Sequence, residues 1–461
     1  MIALRLSDIC VIVEGTLHGQ DAPITGPVVT DSREATPGSL YVARVGEHAD
    51  GHDYASGAAQ AGAVGALGSR PVDAMATIVV EDVQEAFAAL SRAVIDRVPG
   101  LNVIGITGSS GKTSTKDMLG QVMAEHGPTV APQGSYNSEV GVPLTVCRID
   151  ADTRHLVVEM GASGVDHIAY LTQIAPPRIG IVLNVGQAHV GQFASIEQIA
   201  DTKAALVEAL PADGVAILNL DDARVAAMRA RTRARVIGVG YGVGADYRAV
   251  DVELDETGRA SFTLVTTASR VPVSLAVHGE HQVRNALAVL AAAVESGVDL
   301  HDAVRTLGGA AAQSRWRMEV HQLSGGMTLV NDAYNANPES MRAALASLAQ
   351  IGARRRTVAV LGGMRELGDA SLQAHRAVGA EAAERRIDVL VAVGADAAPI
   401  ADAAQQGGSV THRTEDTDSA YELLVTQLLP GDVVLFKSSR DSGLRYLGDR
   451  ITDRFKVEGA T

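Results

Sequence analysis

The feature that most limits the fold is a strand, a glycine-rich turn and a helix that follow one another without a break. Residues 101–106 are apolar, and residues 112–125 place apolar side chains at helical spacing before Gly127. Ser195 and Gln198, three residues apart, form the capping-box pattern at the start of a second helix. Further buried strands are predicted at 155–160, 178–185 and 214–220. Strands that alternate with helices predict a mostly parallel sheet covered on both faces.

The chain of 461 residues is long enough for roughly three domains at about 150 residues per domain. Short strands and Ala-rich helices predict a smaller N-terminal α/β domain at residues 1–98. Residues 99–320 are expected to form a central domain of the P-loop type, with a small antiparallel insert at 247–277. Residues 321–461 again alternate strands with helices, which predicts a Rossmann-like C-terminal α/β domain.

Charge and cysteine content exclude several classes of protein. The formal net charge of −15 argues against a nucleic-acid binder, although a local pocket can still be positive for an anionic substrate. Cys10 and Cys147 lack C-x-x-C partners, so we predict buried free thiols rather than a disulfide or a zinc site. Apolar runs shorter than about 18 residues, with Arg5 and Asp8 near the start, predict no transmembrane segment or signal peptide. We therefore expect a cytoplasmic monomer.

The turn after the strand at 101–106 has the sequence TGSSGKT and leads directly into a helix. Its glycines let backbone N–H groups face an anion, and the helix N-terminus favours negative charge. Lys112 adds a mobile cation, and the hydroxyl of Thr113 is suited to Mg²⁺. The loop is shorter than the usual Walker pattern, because Ile106 stands where that pattern has its first glycine. A phosphate-binding loop is predicted; a glycine-rich turn without a ligand is the alternative.

Polar residues follow two of the predicted strands, where ligands bind in open α/β sheets. Glu159, Asn184 and His189 stand at these positions. Taken alone, Glu159 would be a solvated carboxylate and His189 a structural residue, but their shared edge with the loop favours a metal site. A lone helical lysine such as Lys203 is ordinarily solvated.

Three further features have structural explanations. Asp221 and Asp222 fit a ribose or metal site, or equally a turn. Trp316, the only tryptophan, is interpreted as a packing residue. The stretch NDAYNANPESM at 331–341 has the residues of a capped helix start, with Pro338 at the first helical position.

Longer stretches resemble a known family, the ATP-dependent Mur ligases of peptidoglycan synthesis. In the centre, the resemblance includes TGSSGKT, HLVVEMGAS, NVGQAHVGQF, GEHQVRNALAVLA and the arginine motif SRWRME. In the last block, NDAYNANPESM and LGGMRELGDAS resemble the branch of the family that adds a dipeptide. In the first block, TDSREATPGSLYVARVGEHADGHDY is similar to a uridine-nucleotide-binding segment that this branch shares with the tripeptide-forming branch. The resemblance covers essentially the whole chain.

The resemblance implies a ligase with ATP and Mg²⁺ as cofactors. It implies nucleotide-binding roles for Thr107, Gly108, Ser109, Ser110, Gly111, Lys112, Thr113, Ser114, Asn285, Arg317, Asp332 and Tyr334. It implies metal binding by Thr113, Glu159, His189 and Lys203, the last as a carbamate. It implies a catalytic set of Lys112, Glu159, His189, Lys203 and Arg317.

The resemblance also implies two substrates, UDP-N-acetylmuramoyl-tripeptide and D-alanyl-D-alanine. Contacts to them are implied for Ser32, Arg33, Asn137, Asn335, Asn337, Lys437 and Arg440. Two other classes of function remain open from the residues. One is a related amide ligase with a different acceptor, and the other is a nucleotide-binding regulator without ligase activity.

Overall fold

The computed structural model describes residues 1–186 and 190–456, and residues 187–189 and 457–461 lie outside that description. The described strands form four sheets that follow one another in three blocks along the chain. In the described ranges, no helix is both long and apolar enough to cross a membrane.

The first block combines a small pair of strands with a mostly parallel sheet. Its strands are β1 (Leu4–Arg5), β2 (Thr16–His18), β3 (Pro23–Ile24), β4 (Val28–Val29), β5 (Leu40–Val42), β6 (Gly65–Gly68) and β7 (Ala76–Val79). Its α-helices are α1 (Leu6–Ile12), α2 (Ala55–Gln60) and α3 (Val83–Asp96). The sheet has the order β2-β7-β6-β5-β4, with β2 antiparallel to β7, while β1 pairs with β3. The predicted α/β character of this block is confirmed.

The central block is built on the longest sheet. Its strands are β8 (Asn102–Thr107), β9 (Thr129–Val130), β10 (His155–Glu159), β11 (Ile179–Val182), β12 (Val215–Asn219), β13 (Arg235–Gly240), β14 (Tyr247–Leu254), β15 (Arg259–Val265) and β16 (Arg270–His278). Its α-helices are α4 (Lys112–His126), α5 (Gly141–Val146), α6 (His167–Ile174), α7 (Ile196–Glu208), α8 (Ala223–Ala227), α9 (His281–Glu295) and α10 (Leu300–Gly309). The order is β16-β15-β14-β13-β12-β11-β8-β10-β9.

The predicted antiparallel insert is the edge of this central sheet. β14 pairs in parallel with β13, and β15 and β16 then continue the sheet as antiparallel strands. Polar and apolar residues alternate here because one face of these strands packs on α9 and α10 while the other is solvated. The parallel strands carry the continuous apolar runs of a sheet that is covered on both faces.

Two apolar cores lie on the two faces of the central sheet. One contains α4 and the Ala-rich α9, whose small side chains let the helix lie close to the strands. The other contains α6 and α7 and continues without interruption into α3 and the sheet of the first block. Helix α3 therefore joins the two blocks through a shared core, and the boundary predicted at residue 98 stays a prediction.

The third block is a second doubly covered sheet. Its strands are β17 (Glu319–Gln322), β18 (Thr328–Asn331), β19 (Thr357–Gly362), β20 (Val389–Val393), β21 (Val410–Thr414) and β22 (Val433–Lys437). Its α-helices are α11 (Pro338–Ile351), α12 (Ser371–Glu384), α13 (Ala398–Gln406), α14 (Thr417–Gln427) and α15 (Leu444–Arg454). The order β17-β18-β22-β19-β20-β21 is parallel except for β17, which agrees with the Rossmann-like prediction.

The cysteines allow a simple test of the fold. Cys147 is buried and Cys10 half-buried, and both are free thiols. Burial raises the pKa of Cys147 to about 12, so the unreactive thiol is the form present at pH 8. Alkylation with iodoacetamide, read by mass spectrometry, should therefore spare Cys147 in the native protein and label it in urea. Rapid native labelling of Cys147 in a Cys10→Ser variant would contradict this packing.

Candidate active site

A cavity of about 670 Å³ lies where the carboxyl ends of strands from the central and third sheets come together. The central sheet contributes residues that follow β8, β10, β11 and β12. The third sheet contributes residues that follow β18, β19 and β22. Ligands bind at this edge of parallel sheets, so the cavity lies where the sequence predicts a binding site, and residues of both sheets line it.

The glycine-rich loop connects β8 to α4 and forms one wall of the cavity. Gly111 has φ of +84° and immediately precedes the helix, a conformation that favours glycine. A Cβ atom at this position would also lie 2.7 Å from Oδ1 of Asn285. No side chain caps the start of α4, so the N–H groups of its first turn remain suited to an anion.

Asn184, which follows β11, fixes the shape of the loop. Its Oδ1 accepts a hydrogen bond of 2.9 Å from the Ser110 amide, and its Nδ2 donates to the Ser110 carbonyl at 3.1 Å. Its own carbonyl accepts from the Ser109 amide at 3.1 Å. The neighbouring strand thus holds the loop in place without a ligand.

Lys112 folds back over the loop. Its Nζ donates a hydrogen bond of 2.6 Å to the carbonyl of Gly108. Burial lowers the pKa of Lys112, the carboxylate of Glu159 raises it, and the guanidinium of Arg317 lowers it further. Two cations and one carboxylate therefore act on each other at the end of the loop.

Glu159 is 2% exposed and has hydrogen-bond donors on both carboxylate oxygens. Oε2 accepts from the hydroxyl of Thr113 at 2.9 Å. Oε1 accepts from the Ser135 hydroxyl at 2.8 Å and from Nδ2 of Asn137 at 2.6 Å. This set of hydroxyl, amide and carboxylate oxygens fits Mg²⁺, which needs only one or two carboxylates when substrate phosphates complete its shell. In the described ranges, no group of three or more His, Cys, Asp or Glu side chains is placed to bind a metal.

Lys203 on α7 is buried at the cavity, whereas a helical lysine alone would be expected in solvent. Burial lowers its pKa to about 7, and the charge of Lys112 lowers it too. In the described chain, its Nζ forms no hydrogen bond or ion pair. A neutral amine is the form that reacts with carbon dioxide, so this setting is compatible with the carbamate. The other predicted metal ligand, His189, lies outside the described residues.

Arg317 enters the cavity from the segment between α10 and β17. Its Cζ lies 4.2 Å from the centre of the Tyr334 ring, a cation–π distance, and Arg440 approaches the same ring at 6.0 Å. Nε of Arg317 is buried without a hydrogen-bond partner among the described residues. A guanidinium with an unused donor, stacked on an aromatic ring, is well placed for a phosphate.

Lys437 and Asp332 form a buried ion pair of 2.6 Å. Nζ of Lys437 also contacts the carbonyls of Asp332 at 3.3 Å and Asn335 at 3.2 Å, so its three donors have acceptors. Burial lowers the pKa of Lys437, and Asp332 opposes that change. In this conformation Lys437 holds the loop after β18 and has no donor left for a bound anion.

Asn337 links the third block to the phosphate loop. Its Oδ1 accepts from the Ser340 amide at 2.8 Å and caps α11, as the sequence predicts. Its Nδ2 donates to the carbonyl of Ser109 at 3.2 Å. Asn335 also lines the cavity, and its Oδ1 accepts a hydrogen bond of 2.9 Å from the amide of Ala336.

The structure brings most predicted site residues to this one cavity. The predicted residues that line it are Gly108, Ser109, Ser110, Gly111, Lys112, Thr113, Ser114, Asn137, Glu159, Lys203, Asn285, Arg317, Asp332, Tyr334, Asn335, Asn337, Lys437 and Arg440. Thr107 is an exception, because its buried hydroxyl donates to the Met160 carbonyl at 2.9 Å. Ser32 and Arg33 also lie elsewhere, in a short 3-10 helix of the first block where Arg33 pairs with Asp31 at 2.5 Å.

Two acidic residues, for which the sequence allowed either a ligand site or a turn, have structural roles. Asp222 caps α8 and accepts from the amide of Val185 at 2.8 Å, while Asp221 pairs with Arg284 at 3.1 Å. Sequence reasoning missed Ser135, which contacts Glu159. The sequence could have indicated Ser135, because it stands two residues before the predicted site residue Asn137.

Comparison with known proteins agrees with this geometry. Three family profiles match the chain: "Mur ligase family, catalytic domain" at residues 27–107, "Mur ligase middle domain" at 106–293, and "Mur ligase, glutamate ligase domain" at 316–440. The UDP-N-acetylmuramoyl-tripeptide–D-alanyl-D-alanine ligase of Mycobacterium tuberculosis is 42% identical over 98% of each chain. The ligase of the same name from Escherichia coli is 33% identical over 96% of this chain and 97% of its own.

Solved structures show the same similarity. MurF from Acinetobacter baumannii has a TM-score of 0.86 and 32% identity over 96% of this chain and 98% of its own. MurF from Thermotoga maritima, in complex with ADP, has a TM-score of 0.78 and 28% identity over 94% and 99%. With a 42%-identical relative matched along nearly its whole length and a cavity that joins the phosphate loop to the third sheet, this chain belongs to the Mur ligase family.

Proposed function

We propose that this chain is an ATP-dependent ligase that joins D-alanyl-D-alanine to UDP-N-acetylmuramoyl-tripeptide and uses Mg²⁺. The observation that carries the proposal is the shared cavity, where the glycine-rich loop and Glu159 face Arg317 and Tyr334. The choice of substrates is supported by the names of relatives that are similar along the whole chain.

We assign a different ligand to each of the three blocks. We place the uridine-nucleotide substrate on residues 1–98, where Ser32 and Arg33 lie, and ATP on residues 99–320. The incoming dipeptide belongs to residues 321–461, near Asn335 and Arg440. Because the central cavity is lined from both later blocks, the reacting groups meet between them.

The reaction joins a carboxylate to an amine, and the carboxylate must first be activated because its oxygen is a poor leaving group. The substrate carboxylate attacks the γ-phosphorus of ATP, which releases ADP and leaves an acyl phosphate. The dipeptide amine then attacks the acyl carbon, and the tetrahedral adduct expels phosphate and loses a proton to give the amide. Negative charge concentrates at every step, so catalysis depends on positioning and electrostatic stabilisation.

The residues of the cavity supply that stabilisation. The free N–H groups at the start of α4 and the Nζ of Lys112 hold the phosphates. Arg317 lines the same cavity, with its guanidinium stacked on Tyr334 and with no partner for Nε among the described residues. These two cations at the same cavity stabilise the negative charge of the phosphoryl group during its transfer.

Thr113 and Glu159 would hold Mg²⁺, with His189 and a carbamylated Lys203 at a second position. When bound, the metal ion neutralises phosphate charge during transfer. Ser135 and Asn137 keep the Glu159 carboxylate oriented, since their hydrogen bonds fix its Oε1.

Water must be kept from the acyl phosphate, which otherwise hydrolyses. The third block already reaches the central loops through Asn337 to Ser109 and through the amide of Gly191 to the carbonyl of Glu366 at 2.9 Å. We infer that contacts of this kind between the two blocks limit the entry of solvent when ATP is bound.

A phosphate-release assay tests the proposal. With ATP, Mg²⁺ and UDP-N-acetylmuramoyl-tripeptide present, we expect rapid release of phosphate on addition of D-alanyl-D-alanine. Single amino acids such as D-alanine, L-lysine or D-glutamate should give little release, because the acceptor site is assigned to a dipeptide.

Reactions that lack the tripeptide substrate or the acceptor are the controls, and both should remain at background. Equal turnover with a single amino acid would indicate a related amide ligase instead. Nucleotide binding without turnover in any mixture would favour the regulator interpretation.

A further inference from the structure

A short segment between α10 and β17, residues 314–318, carries Arg317 into the cavity. We call it the arginine segment. Trp316 and Met318, on either side of Arg317, have φ of +58° and +52°, in the left-handed region. Non-glycine residues remain in this region only where their surroundings hold them. The segment must therefore be fixed by contacts outside itself.

The first anchor is a buried carboxylate on α4. Oδ2 of Asp117 accepts from the amide of Ser314 at 2.8 Å, and Oδ1 accepts from the Ser314 hydroxyl at 3.0 Å. That hydroxyl also accepts from the amide of Gly134 at 3.0 Å. Asp117 is 3% exposed and Ser314 is 5% exposed, so water does not compete for these bonds.

Lys116 neutralises this carboxylate. Its Nζ lies 2.6 Å from Oδ1 of Asp117 and also donates to the carbonyl of Pro132. Both side chains are almost completely buried. Lys116 is also bonded to Pro132, and Asp117 to Ser314, so this ion pair is held in place, unlike a mobile pair on the surface.

The second anchor lies on the third block. Nε1 of Trp316 donates to Asp449 at 3.1 Å, and Arg315 pairs with the same carboxylate at 2.9 Å. The Trp316 ring also meets the edge of Tyr446, with centroids 5.6 Å apart. Beyond Arg317, the amide of Met318 donates to Oδ1 of Asp332 at 3.1 Å, so the segment is held on both sides of Arg317, which lines the cavity.

We propose that Asp117 and Ser314 are positioning residues that fix Arg317 against the phosphate site. Helix α4 then fixes the positions of both cations of that site. It carries Lys112 at its start, and Asp117, five residues later, holds the segment that carries Arg317. The inference rests on the proposed function, since it assigns these residues to the placement of the nucleotide phosphates.

The test is a double-mutant cycle of Ser314→Ala with Arg317→Ala in the ligase assay. Loss of the hydroxyl should lower kcat/KM for ATP about tenfold, the size expected for one buried hydrogen bond to a charged group. KM for D-alanyl-D-alanine should not change. In the Arg317→Ala background the same substitution should have no further effect, because its action passes through Arg317.

Further variants separate positioning from general damage to the fold. Ser314→Thr keeps the hydroxyl and should restore most of the activity, and Asp117→Asn should repeat the loss and its dependence on Arg317. Ser91→Ala is the matched control, a buried serine of α3 whose hydroxyl contacts the Phe87 carbonyl at 2.8 Å and Sγ of Cys147 at 3.8 Å, away from the residues that line the cavity. It should keep wild-type kinetics.

The outcomes distinguish the inference from the proposed function. A wild-type protein that turns over no ATP with both substrates overturns the proposed function. An active wild type with an unaffected Ser314→Ala variant, or with effects of Ser314→Ala and Arg317→Ala that multiply, overturns the positioning role alone.

Discussion

Replacing Lys112 with alanine should lower kcat at least about a hundredfold, the typical cost of removing one preorganised contact to a charged transition state. The ammonium lies at the end of the phosphate loop, where burial and Arg317 affect its pKa and Glu159 opposes them. Alanine removes this cation from the cavity that Arg317 also lines. Steady-state phosphate release at saturating ATP is the measurement.

The fold should survive this substitution, because the only hydrogen bond of the Lys112 side chain among the described residues is to the carbonyl of Gly108. Circular dichroism and the thermal midpoint should therefore stay close to those of the wild type. Lys456→Ala removes an exposed lysine and is the matched control, with unchanged kcat. Near-normal turnover of a folded Lys112→Ala variant would rule out the assigned role.

The largest effect on stability is expected from Lys116→Met. The substitution leaves the carboxylate of Asp117 buried and without its cation, which typically costs about 3–5 kcal/mol. Methionine has a similar length, so lost packing contributes little. Urea denaturation followed by circular dichroism should show the decrease in the free energy of unfolding.

A surface pair provides the comparison. Arg92 and Asp96 form an ion pair across one turn of α3, with about half of each side chain exposed. Arg92→Ala should cost less than about 1 kcal/mol, because solvent screens the pair. The double variant Lys116→Met with Asp117→Asn should recover part of the loss, since the unpaired charge is gone. A loss for Lys116→Met no larger than that for Arg92→Ala would contradict a buried, uncompensated carboxylate.

Local patterns predicted the elements that make the site. The helix after the loop was expected at 112–125 and is Lys112–His126, and the strand expected at 155–160 is β10, His155–Glu159. These elements follow from hydrophobic spacing and nearby glycines, which act within one segment. Some strands were not predicted. β17 and β21 are edge strands with partly exposed residues, so their sequences carry weaker apolar patterns. β13 is an interior, largely buried strand, and Gly238 and Gly240 interrupt its apolar pattern.

The helix start at Ser195 shows where local rules reach their limit. The Ser195 hydroxyl accepts from the amide of Gln198 at 3.2 Å, as a capping box requires. The side chain of Gln198, however, accepts from the amide of Ala194 at 2.7 Å and does not return to Ser195. The cap was predicted correctly, and its second bond shifted by one residue.

The sequence by itself determined the alternation of strands with helices, the glycine-rich loop and the position of Glu159 at a strand end, because residue type and spacing are local properties. Lys203 was singled out only through the resemblance to the family. Tertiary structure decided how these groups are used. It turned Thr107 toward Met160, tied Lys437 to Asp332, and brought Ser314 to Asp117 across 197 positions of the chain. A buried polar group needs a hydrogen-bond partner, and the packing of the sheets decides which groups are buried next to each other.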